Sequence, residues 1–205
     1  MTEDHAREWI VRRYGVDQVE RIATFLPWVC EENERQNLIA PSTIGYVWSR
    51  HALDSAQLLA FAPAQASQWL DIGTGGGFPG MIIALLFDGK VTMVEPRKKR
   101  AEFLQTCVDR LGLRHATVRA AKVEAVQGHF AIISARAVAL VEKLLQAAAH
   151  CATPETRWIL PRGRMEAAHL DSLRQDRSRL FHVEHSLTDP QSSILLVDRN
   201  GDSAR

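Results

Sequence analysis

The stretch WLDIGTGGGFPG, from Trp69 to Gly80, is the most informative part of this sequence about its fold. An apolar run that ends near Asp71 is followed by five glycines within the eight residues from Gly73 to Gly80. Glycine permits positive φ and lets a ligand lie against the backbone without a Cβ in the way. The helix that follows presents free N–H groups, which suit an anionic group. The order D-x-G-x-G-x-G between a strand and a helix therefore predicts a ligand-binding loop, in preference to a merely structural tight turn.

Two kinds of ligand are compatible with this loop, a dinucleotide and S-adenosylmethionine. A dinucleotide places a pyrophosphate at the helix N-terminus, whereas S-adenosylmethionine brings an amino-acid end and a cationic sulfur. Asp71 suits the cationic ligand better, although a helix cap or a surface acid would also explain it. Glu95 lies 18 residues beyond Gly77, where an acid can accept hydrogen bonds from the ribose hydroxyls of either ligand. Asp71 therefore favours S-adenosylmethionine, while Glu95 does not discriminate.

The pattern after residue 66 alternates short apolar runs with helical ones. Strands are predicted at QWLDI, VTMVE, ATVRAA, FAIISA, RWILP, RLFHVEH and SILLV. Helices are predicted at Pro79–Phe87, Lys98–Leu111, Val138–Cys151 and Arg164–Arg174. Such alternation predicts an α/β fold with a mostly parallel sheet covered on both faces. The last two strands are separated by only a turn, which predicts a hairpin and an antiparallel edge strand.

The chain divides into three parts by its pattern. Residues 1–62 carry apolar residues at helical spacing and predict a helical extension, with a helix expected at Ile44–Phe61. Residues 63–199 form the predicted Rossmann-like core, and residues 200–205 a short tail.

Composition narrows the class of protein. Apolar residues make up 46% and charged residues 24% of the 205 residues, as is usual for a globular chain. The sequence has neither the apolar length of a membrane span nor the layout of a signal peptide. Its three cysteines include no CxxC pair, and its eight histidines form no metal-ligand spacing. These features predict a cytoplasmic protein without a metal, and the net charge of +1 confines any nucleic-acid contact to a local patch.

Several segments together resemble one known family. They are RHALDS (50–55), DIGTGGGFPG (71–80), EPRKKRAEFL (95–104), KVEAV (122–126), SARAVA (134–139) and LPRG (160–163). In this order they resemble the bacterial ribosomal small-subunit methyltransferase G family, also called glucose-inhibited division protein B. The resemblance covers nearly the whole chain. It differs at Arg162, where the family often has lysine, and at Asp198 and Arg199, near which many members have lysine.

The resemblance implies a class I S-adenosylmethionine-dependent methyltransferase with an N-terminal helical extension. The implied reaction methylates N7 of one guanine in 16S ribosomal RNA, in a loop near the decoding centre. The cofactor contacts that it implies are Gly73, Phe78, the Val123–Glu124 pair and Arg136. With the loop residues and the acid considered above, the predicted cofactor set is Asp71, Gly73, Gly75, Gly77, Phe78, Glu95, Val123, Glu124 and Arg136.

The residues are consistent with this reaction on chemical grounds. The segment after the predicted fourth strand, ISARAVA, lacks the polar-Pro-Pro-aromatic clamp that is usual for methylating an exocyclic amine. Cys107 and Cys151 lie in or at the end of helices, where cysteines are usually buried apolar residues. Guanine N7 is already nucleophilic and carries no proton, so positioning matters more than a general base. Because N7 must stay open, a catalytic arginine would hold O6 or a phosphate. Arg136 is the first candidate and Arg162 the second.

The sequence predicts a local basic patch that contacts RNA. The four cations from Arg97 to Arg100 open a helix, where positive charge is unfavourable, so phosphate contact is a reasonable hypothesis beside the usual solvated charge run. The predicted RNA-contacting residues are Arg50, His51, Arg97, Lys98, Lys99, Arg100 and Arg162. Arg50 and His51 are expected on the polar face of the third helix.

Three other functions remain open from the sequence. They are a non-catalytic ribosome-binding or assembly factor, an NAD-dependent oxidoreductase and a small-molecule methyltransferase. The oxidoreductase is less favoured because Tyr14 and Tyr46, the two tyrosines of the chain, lie outside the predicted core. The favoured partner is the small ribosomal subunit with its 16S RNA, and a monomer is expected.

Overall fold

A seven-stranded sheet organises the molecule. In the computed structural model, which describes residues 1–136 and 140–201, the strand order is β3-β2-β1-β4-β5-β7-β6. Strands β1 to β5 pair in parallel, and β7 runs antiparallel to both of its neighbours. The strands are β1 Gln68–Ile72, β2 Lys90–Val94, β3 Ala116–Arg119, β4 Ile132–Ala135, β5 Arg157–Arg162, β6 Arg179–His185 and β7 Ser193–Arg199.

Helices cover the sheet and also form the N-terminal extension of the chain. They are α1 Glu3–Tyr14, α2 Val16–Gln36, α3 Asp54–Ala56, α4 Gly80–Leu86, α5 Lys98–Arg110, α6 Val141–Ala147 and α7 Ala167–Leu173. The predicted α/β, Rossmann-like class with an N-terminal helical extension is confirmed. The predicted hairpin is present as β6 and β7, but its antiparallel member β7 lies one place inside the edge, which β6 forms.

The core lies on both faces of the sheet because successive side chains of a strand point to opposite faces. Trp69 packs into the cluster that contains α1, α2, α4 and α5. Leu70 and Ile72 pack into the cluster with α6 and α7. The N-terminal helices therefore share one apolar cluster with the first face of the sheet.

The third helical segment differs from its prediction. We expected one regular helix over Ile44–Phe61, whereas the chain winds as a 3₁₀ helix at Pro41–Tyr46, a π helix at Trp48–Leu53, the short α3 and a 3₁₀ helix at Gln57–Phe61. Both oxygens of the Glu3 carboxylate accept the N–H groups of Trp48 and Ser49 at the start of the π segment. Wide π turns occur often at functional sites, and this one carries the first four residues of the RHALDS motif, whose Asp54 and Ser55 begin α3.

Two later helices are shorter than predicted. The expected helix Val138–Cys151 is observed as α6 followed by a 3₁₀ turn at Ala149–Cys151, and Val138 itself lies outside the described residues. The expected helix Arg164–Arg174 is observed as α7, which begins only at Ala167. Helix ends are the least specified parts of such predictions, because terminal turns fray and 3₁₀ geometry competes there.

The topology makes a crevice beside β1. Since β1 pairs with β2 on one side and β4 on the other, the segments that follow β1 and β4 leave the same edge of the sheet. In open α/β sheets this switch in strand order is where ligands bind. The glycine loop after β1 and Arg136 after β4 therefore meet at one site.

Candidate active site

The glycine loop is anchored to β2 and turns through unusual backbone conformations. The N–H groups of Gly73 and Thr74 both donate to the carbonyl of Val94, at 2.7 and 3.2 Å. The φ angles of Gly73, Gly75 and Gly77 are +68°, +60° and +95°, values that side chains other than glycine adopt at a cost. The loop thus has the backbone form that the glycine density predicted.

Asp71 lies behind the loop. It has no exposed surface, and its carboxylate accepts the N–H of Gly80 at 2.9 Å and the hydroxyl of Ser134 at 2.6 Å. Ser134 in turn accepts the indole N–H of Trp69. The carboxylate therefore holds β4 and the start of α4 to the loop, and its position does not support the predicted direct contact with a cofactor.

Burial raises the pKa of Asp71 to about 6, from an ordinary value of 3.8, although hydrogen bonds from Ser134 and Gly80 oppose the rise. Between these two pH values the folded protein binds the proton more tightly than the unfolded chain does. Stability should therefore fall as the pH rises from about 4 to about 6, by up to about 3 kcal/mol.

Urea unfolding of the wild type and Asp71→Asn across this pH range measures the effect. The difference between the two free energies of unfolding isolates Asp71, because every other titrating group is present in both proteins. A difference that stays constant with pH would show that the pKa of Asp71 is not raised.

Glu95 lies at the carboxyl end of β2, where a ribose-binding acid was predicted. One carboxylate oxygen accepts the N–H of Gly75 at 3.0 Å, and the other accepts the N–H of Arg97 at 2.8 Å. Each oxygen keeps a further lone pair, which a hydroxyl can use. Beside it, the position of a Cβ on Gly75 is open, with Gly73 O at 3.8 Å and Arg100 Nη1 at 3.9 Å as the nearest atoms. These features fit a nucleoside ligand lying on the loop.

The cofactor contacts predicted at Val123, Glu124 and Phe78 differ in exposure. Val123 is buried and opens a 3₁₀ turn after β3, whereas Glu124 is exposed. Phe78 is 2% exposed, and its ring packs against Phe25 and His51 with centroid distances of 5.7 and 4.8 Å. Phe78 was expected to contact the cofactor. Its ring instead lies in the interior as a support for neighbouring side chains.

Arg136 lies at the centre of a cluster from three elements. Its guanidinium has the Asp54 carboxylate at 3.6 Å, the His51 Nδ1 at 3.3 Å and the face of the Phe78 ring, whose centroid is 5.6 Å from Cζ. Burial lowers the pKa of Arg136 below its ordinary value, and Asp54 and Asp71 oppose this. Arginine remains charged at any physiological pH, so a fixed cation stands beside the glycine loop.

The sequence predicted His51 on the polar face of a helix. His51 is instead buried, with 7% of its surface exposed. Burial, with the charges of Arg136 and Arg50, lowers its pKa to about 3. Thr43 donates its hydroxyl to Ala40 O and lies 2.8 Å from His51 Nε2. Nε2 therefore carries the proton and Nδ1 accepts from Arg136. A neutral imidazole with both nitrogens engaged is poorly placed to act as a base.

A pocket of about 330 Å³ opens beside this cluster. Its charged walls are the guanidinium groups of Arg50, Arg136 and Arg162 and the carboxylate of Asp54. Arg50 also pairs with Asp189 at 3.1 Å. The remaining lining residues are Thr43, His51, Pro161, Gly163, Ser186, Ser192, Ser193 and Ile194. The structure thus brings together Arg50, His51, Arg136 and Arg162, which the sequence analysis had named separately.

Asp54 and the serines of the β6–β7 turn were missed from the sequence. The RHALDS motif contains Asp54, but RNA contact was predicted for its cationic residues, and no role was predicted for the acid. Ser186 and Ser192 carry no signal in the sequence, since serine is common in any turn. Their proximity to the site comes only from the pairing of β7 with β5.

The basic run at the start of α5 divides into two parts. Arg97, Lys98 and Lys99 are exposed. Arg100 instead donates to the carbonyls of Asn37 at 3.0 Å and Gln36 at 3.5 Å, at the end of α2. A cation at a helix C-terminus is favourable, so Arg100 has a structural role that the predicted RNA contact did not foresee.

The described part of the chain gives little support to a cysteine nucleophile, a metal site or a membrane-spanning helix. Cys107 is buried, and burial raises its pKa to about 12. Within residues 1–136 and 140–201, no group of three or more His, Cys, Asp or Glu is arranged to hold a metal ion. No helix in these ranges has the length and apolar character needed to cross a bilayer. Asp198 forms a bidentate ion pair with Arg157, with both N···O distances at 2.9 Å.

Solved structures share this fold at low sequence identity. MtNAS in complex with S-adenosylmethionine aligns over 87% of this chain and 74% of its own, with a TM-score of 0.60 and 15% identity. An rRNA methylase from Streptococcus thermophilus aligns over 73% of this chain and 96% of its own, with a TM-score of 0.54 and 14% identity.

Sequence comparison identifies much nearer relatives. The ribosomal RNA small subunit methyltransferase G of Erythrobacter litoralis is 41% identical over 197 residues, 95% of each chain. The enzyme of the same name from Novosphingobium aromaticivorans is 42% identical over 202 residues, 96% of this chain and 88% of its own. The family profile described as rRNA small subunit methyltransferase G matches residues 18–193. The resemblance drawn from the motifs is confirmed, and the chain belongs to the rRNA small subunit methyltransferase G family.

Proposed function

We propose that this protein transfers the methyl group of S-adenosylmethionine to N7 of a guanine in 16S ribosomal RNA of the small subunit. The observation that carries the proposal is the arginine-lined pocket, which lies at the switch point beside a nucleoside-compatible glycine loop. Family membership supports the substrate class, since the relatives are named as ribosomal RNA small subunit methyltransferases. As an enzyme of ribosome modification, it would act in the cytoplasm, and we expect it to act as a monomer.

The cofactor would lie across the glycine loop. Glu95 would accept hydrogen bonds from the ribose hydroxyls, Val123 would pack beside the base, and the N–H groups and open face at Gly75 would lie against the ligand. When bound, S-adenosylmethionine supplies a methyl group on a cationic sulfur. Asp71 would contribute at a distance by holding the loop to α4 and β4.

The chemistry of the pocket matches an acceptor that has no proton to lose. His51 is neutral with both ring nitrogens engaged, and Asp54 accepts hydrogen bonds from three side chains. Neither is free to remove a proton from a substrate. Guanine N7 needs none removed, and alignment of N7 with the methyl group is the main requirement.

Arg136 would hold the target base or its phosphate. Arginine can bond O6 and N7 of guanine together, but N7 must remain open to the methyl group. The guanidinium would therefore contact O6 or a phosphate oxygen, where its charge also balances that of the RNA. Arg162, at the end of β5 and on the same pocket, would make a second contact of this kind. Such contacts require an unstacked base, which single-stranded loops present.

The three exposed cations of the basic run, Arg97, Lys98 and Lys99, should contribute a salt-dependent part of RNA affinity. The slope of log affinity against log salt is negative, and Arg97→Gln, Lys98→Gln and Lys99→Gln together should make it shallower by about 2, at about 0.7 for each phosphate contact to single-stranded RNA. Filter binding of a 16S fragment between about 50 and 200 mM KCl measures this slope. A double variant, Arg12→Gln with Arg174→Gln, removes two exposed charges elsewhere and should leave it unchanged. Equal slopes in the triple variant and the wild type would exclude these phosphate contacts.

The reaction is tested with labelled cofactor. Purified protein is incubated with methyl-labelled S-adenosylmethionine and small subunits from cells that lack the protein, and the label is mapped by nuclease digestion. A single 7-methylguanosine in 16S RNA is expected. Incorporation at another atom would overturn the N7 assignment. Absence of incorporation into subunits and into naked 16S RNA, with cofactor binding intact, would overturn the proposal as a whole.

A further inference from the structure

The carboxylate of Asp54 connects two parts of the pocket, one through each oxygen. Oδ1 accepts from Gln57 Nε2 at 2.9 Å, Ser186 Oγ at 3.3 Å and Thr188 Oγ1 at 2.8 Å. Oδ2 lies 3.6 Å from Arg136 Nη1. Both side chains are partly buried, with exposed fractions of 19% for Asp54 and 25% for Arg136. One oxygen therefore faces the β6–β7 turn, while the other faces the cation.

The β6–β7 turn is fastened to the third helical segment by several side chains. Besides the bonds to Asp54, Gln57 accepts the N–H of Leu187 at 2.8 Å. Arg50 pairs with Asp189 in the same turn. Ser186 and Ser192 of this turn line the pocket. Movement of the turn would therefore change the shape of the pocket wall.

The guanidinium of Arg136 is held on two edges and one face. Nη1 faces Asp54, Nη2 faces His51 Nδ1, and the Phe78 ring lies below. A guanidinium has five N–H donors, so these two contacts leave others for a substrate. Asp54 is the one carboxylate that the described structure pairs with Arg136, and its removal would free a long side chain to rotate.

We propose that Asp54 is a positioning residue for methyl transfer. Through Oδ2 it orients the guanidinium of Arg136 toward the target nucleotide, and through Oδ1 it holds the β6–β7 turn as a wall of the pocket. The inference rests on the proposed function. It predicts separate kinetic effects when the two oxygens are perturbed separately.

Asp54→Asn perturbs mainly the Arg136 side. The three donors that converge on Oδ1 should hold the amide oxygen there, which turns the amide N–H groups toward the guanidinium. We expect kcat to fall about 100-fold, the size of effect that a displacement of about 1 Å produces. The KM for small subunits should stay within about three-fold of the wild type.

Ser186→Ala with Thr188→Val removes two of the hydrogen bonds to Oδ1 of Asp54 and leaves the ion pair between Asp54 and Arg136 in place. This double variant should raise the KM about ten-fold and leave kcat within about three-fold. Asp198→Asn is the control, because it weakens a different and shorter Asp–Arg pair, with Arg157, outside the pocket. It should lower thermal stability while both kinetic constants remain those of the wild type.

Coupling between the two residues is tested in an Arg136→Lys background. If Asp54 acts through the guanidinium, Asp54→Asn should lower kcat less than about five-fold there, because the positioned group is already gone. A further fall of about 100-fold in that background would overturn the proposal, as would an unchanged kcat for Asp54→Asn in the wild-type background.

An NMR measurement separates this proposal from the proposed function. The Nη resonances of Arg136, assigned by their loss in Arg136→Lys, should show hindered rotation in the wild type and free rotation in Asp54→Asn. Free rotation in the wild type would overturn the positioning role even if methylation of 16S RNA is confirmed. Hindered rotation that Asp54→Asn abolishes, in a protein that does not methylate RNA, would uphold the link between Asp54 and Arg136 while the proposed reaction fails.

Discussion

Arg136→Ala should lower kcat/KM for methylation of small subunits by about 100- to 1,000-fold, the usual effect of removing one preorganised electrostatic contact from an active site. The side chain follows β4 at the switch point, and its charge faces the pocket. Alanine removes both that charge and the partner of Asp54. Steady-state kinetics with labelled cofactor measure the loss, and calorimetric titration of S-adenosylmethionine shows how much of it comes from cofactor binding.

Two further variants test whether the loss of activity in Arg136→Ala is specific to the guanidinium at this position. Arg136→Lys keeps the charge but not the planar fork, and it should recover only part of the activity. Arg157→Lys alters an arginine of similar exposure that pairs with Asp198 outside the pocket, and its activity should match the wild type. If Arg136→Ala retained activity within about three-fold, the pocket beside β4 would not be where the target nucleotide binds.

Gly77→Ala should destabilise the protein by about 2–5 kcal/mol. The residue has φ of +95°, and an added Cβ would lie 2.8 Å from Phe25 Cζ and from Met81 Cγ. Both neighbours are buried and have little room to move. Urea unfolding should show the loss directly, and cofactor binding should weaken in proportion to the fraction that remains folded.

Gly75→Ala is the matched control in the same loop. Its φ of +60° costs about 1–2 kcal/mol for alanine, but the nearest atoms to the new Cβ are 3.8 and 3.9 Å away. The variant should therefore fold, yet place a methyl where the cofactor would lie and weaken its binding at least about ten-fold. Unchanged affinity for S-adenosylmethionine in folded Gly75→Ala would contradict the placement of the cofactor on this face.

The fold was readable from the sequence because its signals are local. The alternation of apolar runs and helical segments specifies parallel βαβ units, and the bounds of β1 and β6 were predicted to the residue. The failures occurred where local and tertiary forces compete. Over Ile44–Phe61, helical periodicity predicted a single helix, but the Glu3 carboxylate and several side-chain bonds favour 3₁₀ and π turns there.

Much of the site could be named from the sequence, but the roles of its residues could not. Gly73, Gly75, Gly77 and Glu95 lie where a strand–loop–helix pattern predicts them. Asp71 and Phe78 were read as cofactor contacts, yet both side chains point into the interior. Sequence spacing says which residues lie near a loop, whereas the direction of a side chain depends on the helices and strands packed behind it.

The α/β class, the glycine loop at the end of β1, the acid at the end of β2 and the family could all be predicted from the sequence. These features follow from backbone conformation and hydrophobic periodicity, which act over a few residues. The contacts that join Asp54 and the β6–β7 turn to Arg136 at one pocket, and Arg100 to the end of α2, could not be predicted and are known from the folded structure. The reason is that these contacts join residues 63 to 134 positions apart, and the pairing of strands and packing of helices alone bring them together.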